Sequence, residues 1–157
     1  MEPKLPDDAA IYLGITMTDL YAENLNYVFG YGSFETRTGV YSLARYFPDF
    51  WGQPSNADSK RLTLRRSFKV LNHEASHVFG LKHCIFYDCS MNGSNSLEEA
   101  DNSAIHECPV CHQKLLESLQ FDPEKRFKAL SEIFSKHGLD EESQWWNTRS
   151  ANWLRSR

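Results

Sequence analysis

The run His73-Glu74-Ala75-Ser76-His77-Val78-Phe79-Gly80-Leu81-Lys82-His83-Cys84 limits this chain more than anything else in it. On a helix, His73 and His77 lie four residues apart and share one face, one turn above the other. Two imidazoles placed this way can hold one metal ion. Glu74 sits one residue further round, where it reaches a water on that metal without ligating it. Gly80 can take a positive φ at no steric cost, so it can end the helix and turn the chain. His83 then returns to the metal from another direction. Three neutral imidazoles leave a fourth position open, which is the arrangement of a catalytic zinc rather than a structural one. The plainer explanation is a set of surface histidines on a solvated helix. All five positions match by chance in a chain of this size on the order of once in 100,000, so the zinc reading is preferred.

The four cysteines, Cys84, Cys89, Cys108 and Cys111, all follow that run. In a secreted protein they would read as two disulfides. Residues 1–8 are acidic and carry Pro3 and Pro6, the reverse of a signal peptide, so metal binding is favoured over disulfides and over free or redox thiols. The spacing C-x4-C, eighteen residues, C-x2-C supplies four thiolates for a tetrahedral structural zinc. Two zinc ions per chain are therefore expected, one catalytic and one structural. Cys84 adjoins His83, so the structural ion would pin the segment that delivers the third imidazole.

The expected location is the cytosol, with access to the nucleus. A net charge of −4 argues against a nucleic-acid partner. No apolar run approaches the ~20 residues that span a bilayer, so no membrane partner is expected either. With 157 residues the chain fits one domain and can bury one core.

Strands are predicted over residues 9–17, 26–32 and 38–47, where apolar, aromatic and β-branched residues cluster. Residues 19–25 and 48–59 read as loops. From Lys60 the period turns helical. Leu64, Phe68, Leu71, Ala75 and Val78 form one stripe on the helix that carries His73 and His77. Arg61, Arg65, Arg66 and Lys69 on the same helix read as a solvated face. Ser96-Leu97-Glu98-Glu99 has the form of a capping box, and a helix over residues 108–119 tolerates Pro109 in its first turn. Asp122-Pro123-Glu124 starts another helix and Gly138 stops it, with Phe127, Leu130, Ile133 and Phe134 as its apolar stripe. A last helix from Glu141 carries Trp145, Trp146, Trp153 and Leu154, read as packing rather than a ligand site.

The run HExxHxxGxxH followed by a methionine, Met91, resembles the metzincin clan of zinc peptidases. Cys84, Cys89 and the pair Cys108-Pro109-Val110-Cys111 narrow the likeness to the archaemetzincin family, as does Asn95-Ser96-Leu97-Glu98-Glu99-Ala100-Asp101. Ala75-Ser76 departs from the family, which has a larger apolar residue and a glycine there. The resemblance implies a mixed α/β (α+β) fold with a small sheet packed on the active-site helix and a helical C-terminal part. Within one domain over 1–157, residues 10–80 would hold the sheet and active-site helix, and 81–157 the structural zinc and later helices. The family's first strand–helix–strand portion is expected to be missing, leaving an uncovered sheet edge or face. The implied activity is hydrolysis of peptide bonds in a peptide or protein substrate. Zinc on His73, His77 and His83 activates a water, Glu74 is the general base and then acid, and Met91 is the base beneath the imidazoles. An extended substrate would pair with a strand near residues 39–46. The competing reading is a zinc-stabilised binding module, or inactive pseudopeptidase, that holds the metal without turnover.

Overall fold

A computed structural model describes residues 5–155; the start of the acidic N-terminal stretch, residues 1–4, lies outside the described residues. The described residues form β1 (Tyr12–Thr16), β2 (Leu20–Ala22), β3 (Leu25–Val28), β4 (Gly30–Ser33) and β5 (Thr38–Ser42). They continue with α1 (Ala57–Val78), α2 (Leu97–Asn102), α3 (Pro109–Leu119), α4 (Pro123–Lys136) and α5 (Asp140–Arg155). The fold is mixed α and β, as expected. The contacts divide the chain into two compact units, the first ending at Ser118 and the second beginning at Leu119. The expected division at residue 80 is therefore not where the contacts thin, because the cysteine segment folds within the first unit.

In the first unit the three-stranded sheet has the order β1-β5-β4, with β1 parallel and β4 antiparallel to β5. The second expected strand is in fact two. Residues up to Val28 pair with β2, in a short hairpin that passes through Glu23-Asn24, and residues from Gly30 pair with β5. The polar stretch 19–25 hides β2 because that strand is only three residues long. β5 has partners on both sides, so it has no edge for an extended substrate. That removes the expectation placed on residues 39–46. β4 is the edge strand on the helix side of the sheet, and β1 is the edge strand on the other, with Tyr12 and Ile15 exposed.

Helix α1 begins three residues before Lys60. Asn56 caps it by accepting from the Ser59 amide at 2.8 Å, and the Ser59 side chain closes the reciprocal bond. The predicted apolar stripe is not the buried one. Of Leu64, Phe68, Leu71, Ala75 and Val78, only Val78 is buried, and the face turned inward carries Thr63, Val70, Glu74 and Val78. The cause lies in β4. A Cβ built on Gly32 would stand 2.9 Å from the Glu74 carbonyl oxygen, and one on Gly30 would stand 2.9 Å from Glu74 Cγ. Helix and strand approach so closely that only glycine fits, and the polar side chain of Glu74 is covered by backbone instead of by a larger neighbour. Val70 packs with Tyr41 and Tyr46 in a core cluster joined by Leu13, Phe29, Leu43 and Leu97.

In the second unit α4 and α5 pair with each other. Asp122 caps α4 by accepting from the amides of Glu124 and Lys125, and Gly138 follows its end with φ +70°. Ser131 and Ser143 cross-bond at the helix contact, each hydroxyl donating to the other's carbonyl at 3.1 and 2.9 Å. Phe127 and Trp146 stack beside them with centroids 5.6 Å apart. The expected packing role of the tryptophans holds for Trp146. Ile133 and Leu154 do not follow their stripes and are exposed.

The close approach of β4 to α1 yields a first prediction. Gly32→Ala places a methyl against helix backbone that cannot swing away, so it should lower the unfolding free energy by about 1–3 kcal/mol. Urea unfolding beside the parent measures it. A loss below a few tenths would mean that strand and helix separate freely.

Candidate functional site

Helix α1 carries His73 and His77 in its last two turns, and the turn that ends it is set by hydrogen bonds. The Gly80 amide donates to the His77 carbonyl at 2.9 Å and the Leu81 amide to the Ser76 carbonyl at 3.0 Å. With Gly80 at φ +92°, this is the Schellman arrangement. It reverses the chain so that His83 comes back to the other two histidines. Ring centroids stand 4.6 Å apart for His73 and His77, 5.3 Å for His73 and His83, and 4.9 Å for His77 and His83.

Two backbone carbonyls decide which nitrogen each ring presents. His73 Nδ1 lies 2.8 Å from the Ser90 carbonyl oxygen, and His77 Nδ1 lies 2.7 Å from that of Leu81. A carbonyl can only accept, so each Nδ1 carries the hydrogen and donates it. In a neutral ring that leaves Nε2 bare, and the two Nε2 atoms face each other 3.0 Å apart. Burial holds His73 down to about 4 and His77 below its ordinary value, so both are neutral at pH 7. Neutral rings with inward lone pairs are what a metal needs. Donor atoms of the three histidines lie within 4.8 Å of one another. Tetrahedral zinc bonds of about 2.0–2.1 Å would separate such nitrogens by about 3.3 Å, which the His73–His77 pair nearly meets.

Glu74 lies beneath β4, covered by Gly30 and Gly32, and burial pushes its carboxyl up to about 7. A dication held by the imidazoles would act in the opposite direction and favour the carboxylate. Met91 is fully buried, in the turn after Cys89 whose Ser90 carbonyl holds His73. All the site residues predicted from the sequence fall in the first unit, and they form two groups.

The second group is Cys84, Cys89, Cys108 and Cys111, all buried, all free of disulfides, with sulfurs within 4.8 Å of one another. Sulfur–sulfur separation in a tetrahedral zinc–thiolate site is about 3.8 Å, and Cys84 Sγ and Cys108 Sγ stand 3.9 Å apart. A disulfide at about 2.05 Å is excluded by that distance. Cys89 Sγ accepts from the amides of Met91 and Cys108 at 3.4 and 3.2 Å, and Cys108 Sγ from that of Cys111 at 3.4 Å. Burial pushes the Cys89 thiol up, and the two amide donors aimed at its sulfur offset only part of that. Asn92 ties the loop: its Nδ2 donates to the Cys84 and Tyr87 carbonyls at 2.7 and 3.0 Å, while its Oδ1 accepts from the Cys89 amide at 2.9 Å.

Beside the histidines lies a cavity of about 410 Å³ whose lining includes His73, Glu74, His83, Gly30, Tyr46 and Arg66. One wall is an aromatic ladder. The Arg45 guanidinium lies 3.8 Å from the Tyr27 ring centre, Tyr27 meets Phe29 edge-on at 5.3 Å, and Phe29 stacks on Tyr46 at 5.2 Å. Arg45 is itself fixed by Asp19 at 2.8 and 2.6 Å.

The basic residues of α1 are not all a solvated face. Arg66 grips Asp101 with Nε and Nη2 at 2.8 and 2.5 Å, and Lys69 donates to the carbonyls of Ala100 and Ser103 at the end of α2. Cations at a helix C-terminus satisfy its open carbonyls. The spacing Arg66–Lys69 places both on one side of α1, which was the available signal. Their acceptors lie more than thirty residues away in the chain, where no local pattern points to them. The carbonyls of Ser90 and Leu81 were invisible for a different reason: any residue supplies a carbonyl.

The protein-family model described as Peptidase family M54 matches residues 6–117. Archaemetzincin-2 of Homo sapiens is 38% identical over 153 residues, covering 83% of this chain and 42% of that protein. The archaemetzincin of Thermococcus kodakarensis is 43% identical over 108 residues, covering 69% of this chain and 56% of its own length. Among solved structures, the archaemetzincin of Methanopyrus kandleri superposes with a TM-score of 0.63 at 35% identity, over 76% of this chain and 62% of its own. The chain thus spans less than two thirds of the relatives it matches.

Because Gly80 both ends α1 and aims the Leu81 carbonyl at His77, its replacement should act twice. Gly80→Ala forces a residue with a Cβ to φ +92°, at about 1–2 kcal/mol, and should weaken zinc retention in a chelator competition. Thermal melting and zinc release measured on one sample check both; a variant equal to the parent in each would separate the turn from the site.

Proposed function

Since the chain belongs to peptidase family M54, with the archaemetzincins, we propose that it hydrolyses peptide bonds in peptide or protein substrates, using zinc on His73, His77 and His83. The observation that carries this reading is the convergence of bare imidazole nitrogens beside a buried carboxylate, at one end of a cavity. Zinc bound there supplies Lewis acidity, which lowers the pKa of a water and polarises a carbonyl. Glu74 takes a proton from the attacking water and returns it to the leaving amine, as base and then acid. The cover of Gly30 and Gly32 keeps other water from that carboxyl. Edge strand β4 pairs with an extended substrate and lays its scissile bond across the histidines. Met91 forms the apolar base beneath them. Cys84, Cys89, Cys108 and Cys111 hold a second, structural zinc that fixes the segment bearing His83 and Ser90.

Elemental analysis of protein purified without chelator should find two zinc ions per chain. Glu74→Gln should keep both and lose at least about a hundredfold in cleavage of a peptide library. A variant that retains zinc and cleaves like the parent would sink the peptidase and leave a binding module.

The two metal groups should also separate by their consequences. His83→Ala removes one exposed imidazole and should abolish cleavage with most of the fold intact. Cys108→Ala leaves three buried sulfurs with an incomplete shell and should unfold at a lower temperature than His83→Ala. The reverse order of melting would exchange the roles of the two groups.

A further inference from the structure

The cavity beside the histidines is lined by two cationic side chains and, on the side of the loop after Met91, by polar Asn92, Ser94 and Asn95, while Tyr27, Phe29, Tyr46 and Val70 give it an aromatic and aliphatic wall. From His73 to Arg66 it follows α1 for two turns, roughly 10 Å. A ligand side chain entering beside the reacting centre therefore meets the aromatic ladder on one side and the Arg66 head at depth. Both cations are engaged. Lys69 points into the carbonyls at the end of α2, and Arg66 is held by both oxygens of Asp101 in a bidentate pair. The pair is not sealed away, since the Arg66 and Asp101 side chains are 17% and 27% exposed. An unpaired guanidinium at that depth would favour an acidic side chain. With Asp101 bonded to it, a second carboxylate would meet a guanidinium already neutralised, and a Lys69 ammonium already enclosed by carbonyl oxygens, and would lose its own water for little return.

Resting on the peptidase reading above, we infer that the Arg66–Asp101 pair sets the specificity of this site. Asp101 cancels the charge of Arg66, so the cavity takes an uncharged aromatic or branched aliphatic substrate side chain next to the scissile bond and rejects Asp and Glu. Asp101 is a positioning residue here, acting through Arg66. A single change at Asp101 should then turn the preference over without touching the histidines or Glu74.

The test uses the zinc-loaded protein and a series of peptides identical except for Phe, Leu, Asn, Glu or Lys at one position beside the cleaved bond. Cleavage is read for the parent chain. Binding is read by fluorescence anisotropy in a Glu74→Gln background, where no turnover is needed. The parent should favour Phe and Leu over Glu by about tenfold or more. Asp101→Asn frees the guanidinium and should raise the Glu-to-Leu ratio by a similar factor, and adding Arg66→Met should abolish that gain. Arg66→Met alone uncovers the Asp101 carboxylate and should shift preference toward Lys, so the reading survives if Asp101→Asn does not fold. A parent that prefers Glu, a series bound equally or not at all, or folded variants with unchanged ratios would overturn the inference. Binding ratios that follow this pattern in a protein that cleaves nothing would sink the peptidase reading alone.

Discussion

Two carbonyl oxygens, those of Ser90 and Leu81, hold the chemistry of this protein in place. By accepting from Nδ1 of His73 and His77 they fix the tautomer of each ring and turn both Nε2 lone pairs toward one point. Each carbonyl is fixed by a separate device. Leu81 sits in the Schellman turn that Gly80 permits, so the helix end and the orientation of its last histidine are one structure. Ser90 sits one residue after Cys89, and its own amide donates to the His106 carbonyl. The imidazole pair therefore depends on the cysteine segment, and order lost at the sulfurs would reach His73 through a single residue.

That dependence makes sense of the unusual density of motif between residues 73 and 111. Cys84 directly follows His83, and its amide donates to the Met91 carbonyl at 2.8 Å. Asn92 then closes the same loop with three bonds. The segment buries Met91 and its cysteines but little else that is apolar, and Ile85 and Phe86 at its tip are each 82% exposed. Burial of those few side chains does not by itself order the exposed tip. Crosslinking can, and hydrogen bonds together with four convergent cysteine sulfurs able to hold a metal are the features it has.

The site was legible in the sequence because metal ligation demands particular residue types at particular spacings. His73, His77, His83 and the four cysteines could be named, and the structure brings each set together. Backbone devices were not legible. Gly30 and Gly32 read only as the end of a strand, though they let α1 come close enough to cover Glu74. The helix stripe was misread for the same reason. Periodicity marks apolar residues, and at this contact the buried positions are Thr63 and Glu74 as well as Val70 and Val78. The break between β3 and β4 escaped because it depends on which partner each half finds, which is a tertiary fact.

The misread stripe and the charged face have a common physical origin. A helix that must offer two imidazoles and a carboxylate to a cleft cannot also present a continuous apolar face to the sheet. On α1 the inward positions near the site are polar, so the helix is held there by other means. It has backbone contact with β4, the Thr63 hydroxyl donating to the Tyr46 carbonyl at 2.8 Å, and the grip of Arg66 and Lys69 on the end of α2. Directed bonds replace some of the non-directional burial that would otherwise fix the helix. They also hold it in one register, which burial alone does less strictly. For a site whose donors must converge within a few tenths of an ångström, that exchange favours geometry over stability, and the residues that make it surround the cavity in which a substrate would lie.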